Sequence, residues 1–358
     1  MGVAAAANLT AGAGGEYSTI GDAVKAASDG DFIVVLEGRY CEDVTVDRFL
    51  TILGRQNGTR MPEVDACGAS AGIVLSSPGS TVQGLNVTNS SGSGIVVNAD
   101  GCLIFGNKAT NNEYAGILLK ESSGAVLKGN IASDNGVSGI VLDVSNNNLI
   151  DENQASSNAD SGIEVEESSD NILRNNTAFN NTNDGIELIG ALNNTLVGNT
   201  AQGNKDGICL EEESKGNLLT ANHAVRNEID GFLVRKSSDN TISSNDATLN
   251  NNAIFIESSG GNRIIGNNVS MNINGIYMNF YSMDNLLMNN SMSNCSGFYA
   301  YDESGTNHWD DGSRGNHYGD FDATSSGCNP ISGGICGSNR PIPPLDAVDR
   351  FPLASWVG

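Results

Sequence analysis

Five carboxylates near the middle of the chain are placed to do chemistry together. Asp143 and Glu166 stand 23 residues apart, as do Glu164 and Glu187, and Glu211 follows Glu187 by 24. If such an interval is one turn of a stacked backbone, Glu164 and Glu187 start about 4.8 Å apart. Glycosidic hydrolysis uses two carboxyl groups, about 5–5.5 Å apart for retention and about 6.5–9.5 Å for inversion. Crowding also raises the pKa of one member of such a pair, as a general acid requires. Glu164 and Glu187 are therefore the first catalytic candidates, with Glu211 as modulator, for a polysaccharide hydrolase or lyase. The same hard oxygens suit Ca²⁺, with Asp143, Glu164 and Glu166 as candidate ligands. A solvated acidic face is the competing reading, because the chain carries 42 acidic and 18 basic side chains.

Two further sets accompany the carboxylates. Phe255, Tyr277, Tyr299 and Tyr301, with Phe280 and Tyr281 nearby in sequence, offer rings with a polar handle on which sugars stack. The alternative is that residues 303–358 pack over them. Val74, Val96, Leu118 and Val141 form an apolar stripe, which implies burial under a folded-back tail or a neighbouring subunit. Cys209 shares their register and, as an odd outward cysteine, could cross-link two copies.

These registers come from an internal repeat. A small-residue-plus-aliphatic or aromatic step runs from Gly72-Ile73 through Gly94-Ile95, Gly116-Ile117, Gly139-Ile140, Gly162-Ile163, Gly185-Ile186, Gly207-Ile208, Gly231-Phe232, Ala253-Ile254 and Gly275-Ile276 to Gly297-Phe298, at spacings of 22 to 24. An aliphatic column (Val82, Ile104, Leu127, Ile150 onward) and a small-residue column (Val87, Ala109, Ala132, Ala155 onward) share the period. Two residues before most of the small residues sits Asn, from Asn107 and Asn130 to Asn290, and a further Asn follows three after it in several coils. Short alternating apolar pieces between Ser, Asn, Asp and Gly predict strands and turns. A unit of that length holds about three strands and buries its apolar face only against the next unit. The expectation is an all-β, single-stranded parallel β-helix of about twelve coils, with stacked Asn amides pairing what would otherwise be buried unpaired. In Gly-Ile-x-Leu the Ile and Leu point inward and x outward.

Composition narrows the partners. A net charge of −24 repels phosphate backbones, which removes nucleic acid. No run of 18 apolar residues marks a transmembrane helix. The 47 Asn and 44 Gly disfavour a helical bundle.

The repeat, with Tyr17 to Ala27, Glu37-Gly38-Arg39-Tyr40, Leu50-Thr51-Ile52-Leu53-Gly54, Asn307-His308-Trp309-Asp310-Asp311-Gly312 and Gly315-Asn316-His317-Tyr318, resembles right-handed parallel β-helix proteins of the NosD-like group, related to carbohydrate-binding and sugar-hydrolase β-helices. The resemblance implies a capping helix near Ser18 to Ala27 and an irregular closing segment of archaeal type. The organisation expected is a flexible lead-in over 1–16, the β-helix with its cap helix over 17–302, and a C-terminal cap over 303–358. Fold says little of chemistry here. Copper is disfavoured: His223, His308 and His317 are the only histidines, and Met278 and Met292 fall in inward columns beside the outlying Met271, Met283 and Met288. No cofactor is required.

Ten Asn-x-Ser/Thr acceptors and seven Cys favour an extracellular or envelope setting, with any signal peptide already absent. Cys41 and Cys67 lie one coil apart and Cys328 and Cys336 flank a Gly-rich loop, so each pair is expected to bridge; Cys102, Cys209 and Cys295 remain. The leading expectation is a cell-surface solenoid, an archaeal envelope, sheath or surface-layer component that self-associates or binds surface polysaccharide. Glycan cleavage and passive glycan binding are the alternatives.

Overall fold

The computed structural model describes residues 6–56 and 60–355; the Asn57 acceptor, Trp356 and residues 1–5 lie outside them. The fold is an all-β parallel solenoid whose coils each carry three short strands. The chain divides into two compact units, Met1–Thr177 and Ala178–Gly358.

In the first unit the Gly-Ile strands, among them Ser93–Val97, Ile117–Lys120, Ile140–Asp143 and Ile163–Glu166, pair in parallel with Ile95, Ile117, Ile140 and Ile163 in one column. These strands form the first sheet of each coil. A second sheet stacks Val82, Ile104, Leu127, Ile150 and Leu173, and a third stacks Val87, Ala109, Ala132 and Ala155. All of these side chains are fully buried. Full burial of an Ile or Leu contributes about 1.5–3 kcal/mol, so each added coil stabilises its predecessor through these columns.

The N-terminal end is closed as the sequence suggests, with one difference. The helix Ile20–Ala26 is capped by the Thr19 hydroxyl and buries Ile20, Ala23 and Val24. The lead-in is not wholly irregular: Asn8–Ala11 is a strand whose Leu9 stands opposite Ile33. Leu9 and Ala11 alternate inward and are buried, which ties the segment down. Cys41 and Cys67 are bonded across neighbouring coils.

In the second unit the first-sheet strands Asp184–Ile189, Asp206–Glu211, Asp230–Arg235, Asn252–Glu257 and Asn274–Met278 align Ile186, Ile208, Phe232, Ile254 and Ile276. The last coil departs from the expected step. Ala300 stands opposite Ile276 and Tyr301 opposite Tyr277, so the repeat resumes at Tyr299-Ala300 rather than Gly297-Phe298. Beyond it the chain keeps stacking. Tyr318 continues the small-residue column opposite Met292, and Asp302 stands opposite Pro344 on the free edge of its strand. Covering that edge blocks edge-to-edge pairing. Trp309 and Tyr318 are buried there, donating to Asp302 Oδ2 at 3.1 Å and Asp349 Oδ2 at 3.0 Å. Cys328 and Cys336 staple an adjoining loop.

Asn ladders run through both units. In the first, Asn107 Nδ2 donates to Asn130 Oδ1 at 3.2 Å, and the pattern repeats to Asn153 and Asn176. In the second it runs from Asn199 through Asn222, Asn245, Asn267 and Asn290 to Asn316. The Asn that follows the small residue makes a second ladder, as from Asn112 through Asn135 to Asn158. A third ladder was not anticipated: Asn194, Asn217, Asn240, Asn262, Asn285 and Asn307 in sequence, and Asn148 with Asn171. Its signal is an Asn two residues before the aliphatic-column residue from Ile150 onward.

Candidate functional site

A bend at the Gly-Ile step builds the site in the second unit. A Cβ on Gly185 would lie 2.6 Å from the Gly207 carbonyl oxygen, 2.7 Å from the Ala201 side chain and 2.8 Å from the Asn204 amide. Gly185 therefore faces the interior, as Ile186 does, and the strict alternation of a strand is broken by two successive inward positions. The residue before the glycine then shares the outer face with the residue after the isoleucine. In three successive coils that preceding residue is aspartate: Asp184, Asp206 and Asp230.

These carboxyls are nearly out of water, at 3%, 4% and 2% exposure. Asp206 Oδ1 accepts from the Asp230 backbone N–H at 2.7 Å, and Asp230 Oδ1 accepts from the Asn252 amide at 2.8 Å. Asp184 Oδ1 is buried with no hydrogen-bond partner among the described residues. Burial, with Glu187 and Asp206 nearby, pushes the Asp184 carboxyl up to about 8. Burial pushes Asp230 up to about 7 against the pull of Asn252. Asp206 is raised by the same cause. Beside them Glu211 accepts from Arg235 Nη1 at 2.8 Å, and Arg235 Nε donates to Glu257 at 2.6 Å. The face thus holds carboxylic acids that keep a proton near neutrality next to an ion-paired carboxylate, the equipment of a proton donor and its complement.

Farther along the same sheet, past Leu233, lies an aromatic cluster. Phe255 stacks on Tyr277 with centroids 4.7 Å apart and planes 8° apart. Tyr301 and Phe298 each meet Tyr277 edge-on at 5.8 Å. Tyr277 donates its hydroxyl to Glu303 at 2.8 Å; burial and that carboxylate push its phenol up to about 12. All four rings remain half-buried, so residues 303–355 do not seal them. Tyr299 does not join them. It stands one residue before Ala300, in the Gly275 column, and lies beside Gly319. Phe298 takes its place, hidden from sequence by the shifted last coil.

The remaining candidates are placed as follows. Glu164 belongs to the first unit and Glu187 to the second. Glu164 accepts from the Ser138 hydroxyl at 2.7 Å, and burial raises its carboxyl. Asp143 stands opposite Glu166 and 3.8 Å from the Lys120 ammonium. Among the described residues no group of three His, Cys, Asp or Glu is gathered to hold a metal. Val74, Val96 and Leu118 are half-buried in one column, but Val141 is buried. Cys209 points outward as its register requires, yet its exposure is 0%. It donates to Glu211 at 3.3 Å, and burial with Asp184 and Glu211 around it holds the thiol well above its usual range. Such a thiol cannot reach a second copy, so the expected cross-link is corrected.

Comparison with known proteins fits this architecture. Residues 71–224 match the family model described as right handed beta helix region, and residues 180–323 that described as periplasmic copper-binding protein (NosD). Copper belongs to the description of that family; in this chain Met278 and Met292 are core residues, Met271 and Met283 are exposed, and His223 lies 3.4 Å from Asp246. No curated protein matches. Among solved structures, the Dettilon tailspike protein (gp208) superposes with a TM-score of 0.61 at 15% identity over 77% of this chain. The chain spans 62% of that tailspike's length. The DFA-IIIase from Arthrobacter chlorophenolicus A6, solved in complex with GF2, superposes at 0.59, with 13% identity over 76% of this chain and 91% of its own. The mannuronan C-5 epimerase AlgE4 A-module of Azotobacter vinelandii does so at 0.52, with 15% identity over 80% and 92%. At such identities the likeness is one of fold. The chain is a right-handed parallel β-helix protein.

Proposed function

We propose that the chain binds a polysaccharide outside the cytoplasm, along the outward first-sheet face of its second unit. The observation that carries this reading is the stacked Phe255–Tyr277 pair with Tyr301, half-open to water on the same sheet as the aspartate row. Rings of this kind present an apolar face to a sugar and a hydroxyl to water. The names of the fold neighbours, an epimerase of mannuronan among them, agree with a glycan ligand. Two disulfides and the match to a periplasmic family favour an oxidising compartment, such as an envelope or sheath. The test is a glycan panel probed with wild type and Tyr277→Ala. Binding that weakens at least tenfold in the variant supports the reading; equal binding by both removes it.

A second reading, glycan cleavage, is favoured by the aspartate row. Asp230 or Asp184 would donate a proton to the leaving oxygen, and Glu211, Glu187 or Asp206 would act opposite it. Glu164, in the first unit, stays a separate candidate. Release of reducing ends from a bound glycan, abolished in Asp230→Asn with binding retained, is the expected sign of catalysis. A structural role by self-association now rests on Val74, Val96 and Leu118, without Val141 or Cys209.

A further inference from the structure

The third sheet of the first unit carries a second groove on its outer side, of about 750 Å³. Its floor follows the register: Arg39, Glu63, Asn86, Lys108 and Ile131 stand in one outward column. Thr110 and Ser133 line the next column, and Arg60 and Met61 form part of one wall. The charges there are unusual for this chain. The net charge is −24, and most basic side chains are spent on neighbouring carboxylates. Arg39 follows that habit, bound to Asp65 and 3.2 Å from Glu63. Arg60 and Lys108 do not: neither makes an ion pair among the described residues, and both are exposed at the groove. Two unspent cations thus face one groove whose lining also holds the carboxylates of Glu37 and Glu63, the Arg39 guanidinium, hydroxyls, an amide and the aliphatic surfaces of Ile131 and Met61.

The geometry points to a binding site for an anionic sugar residue, a uronate or a sulfated sugar. Its carboxylate or sulfate lies on Lys108 and Arg60, its hydroxyls on Thr110, Ser133 and Asn86, and the apolar face of its ring on Ile131. This site is independent of the aromatic platform, on another sheet and in the other unit. The protein's negative field opposes long polyanions, but the Debye length is only about 8 Å at physiological salt, so a short anionic oligosaccharide reaches paired contacts there. Glu63, already partnered by Arg39 and by the Asn86 amide at 3.2 Å, borders the bound anion and weakens it.

Titration calorimetry of the full chain tests this with three trisaccharides: galacturonate, its methyl ester and a sulfated neutral sugar. Galacturonate should bind at least tenfold more tightly than the ester. Lys108→Ala and Arg60→Ala should each weaken it about tenfold, Lys108→Arg should restore most of it, and Glu63→Gln should strengthen it. Preference for the sulfated sugar over galacturonate supports the site and names sulfate as its anion. Equal binding of ester and acid, no binding of either anion, or indifference to both alanine variants overturns it. Tyr277→Ala should leave this binding unchanged, so the groove and the platform fail or stand separately.

Discussion

The outward first-sheet faces of the two units are built on the same bend and end in opposite chemistry. In the first unit the residue before the glycine is Ser93, Ala115, Ser138 or Ser161, small or hydroxylic, and Ser138 spends its hydrogen on Glu164. In three coils of the second it is Asp184, Asp206 or Asp230, and burial raises all three carboxyls, Asp184 to about 8 and Asp230 to about 7. One backbone device, two consecutive inward positions, turns a single side-chain choice into either a satisfied surface or a row of buried acids. Desolvation is the term that separates them, because a buried carboxylate without a cation loses more than a hydroxyl does.

The largest expected effect tests whether the bend is shared. Gly139→Ala in the first unit would place Cβ 2.6 Å from the Gly162 carbonyl oxygen, and Gly207→Ala in the second would place it 2.3 Å from that of Gly231. Each should cost about 3 kcal/mol in urea unfolding, since backbone on the far side cannot yield. Tolerance at one site would mean that the bends differ.

The next effect separates the faces by pH. Asp184 and Asp230 hold their protons up to about 8 and about 7, whereas in the unfolded chain both release them near 3.8, the ordinary value for an aspartate. Through that range the folded state binds more protons, so stability is full below the unfolded pKa and falls as pH rises through the folded values. Asp184→Asn and Asp230→Asn should each gain about 2 kcal/mol over wild type at pH 9 and little at pH 4, read from thermal melts. Ser138→Asp should import the alkaline loss into the first unit. A flat profile for that variant would show that the bend alone does not bury an acid.

The smallest effect concerns Cys209. Iodoacetamide should leave it unmodified in the native protein and label it in denaturant, with Cys295, which is partly exposed, reacting first. Rapid native labelling would show that the acid row is open to water.

Much of this was legible in advance. The period, the inward columns and two Asn ladders follow from alternation and spacing alone, because each like residue lands on its predecessor. The aspartate row was written as three Asp-Gly steps, but alternation assigns the residue before glycine inward, and only the close approach at Gly185 shows the rule suspended. Cys209 was given the right direction and the wrong environment: register tells which way a side chain points, not how tightly its neighbours close over it. Tyr299 and Phe298 exchanged places because a plausible Gly-Phe step at the usual spacing concealed a longer final coil.

The ladders have a consequence for how such a chain can change length. Each amide from Asn199 to Asn290 donates to the next Asn of its series, in the coil that follows, and the other two series are built in the same way. An insertion or deletion within the strands that is not one whole coil throws all three series out of step at once, leaving buried amides unpaired at about 1–3 kcal/mol each. Duplicating or losing a whole coil leaves each partnership intact. Length in this protein is therefore quantised: loops at the corners absorb a residue or two, but the body grows and shrinks by the turn.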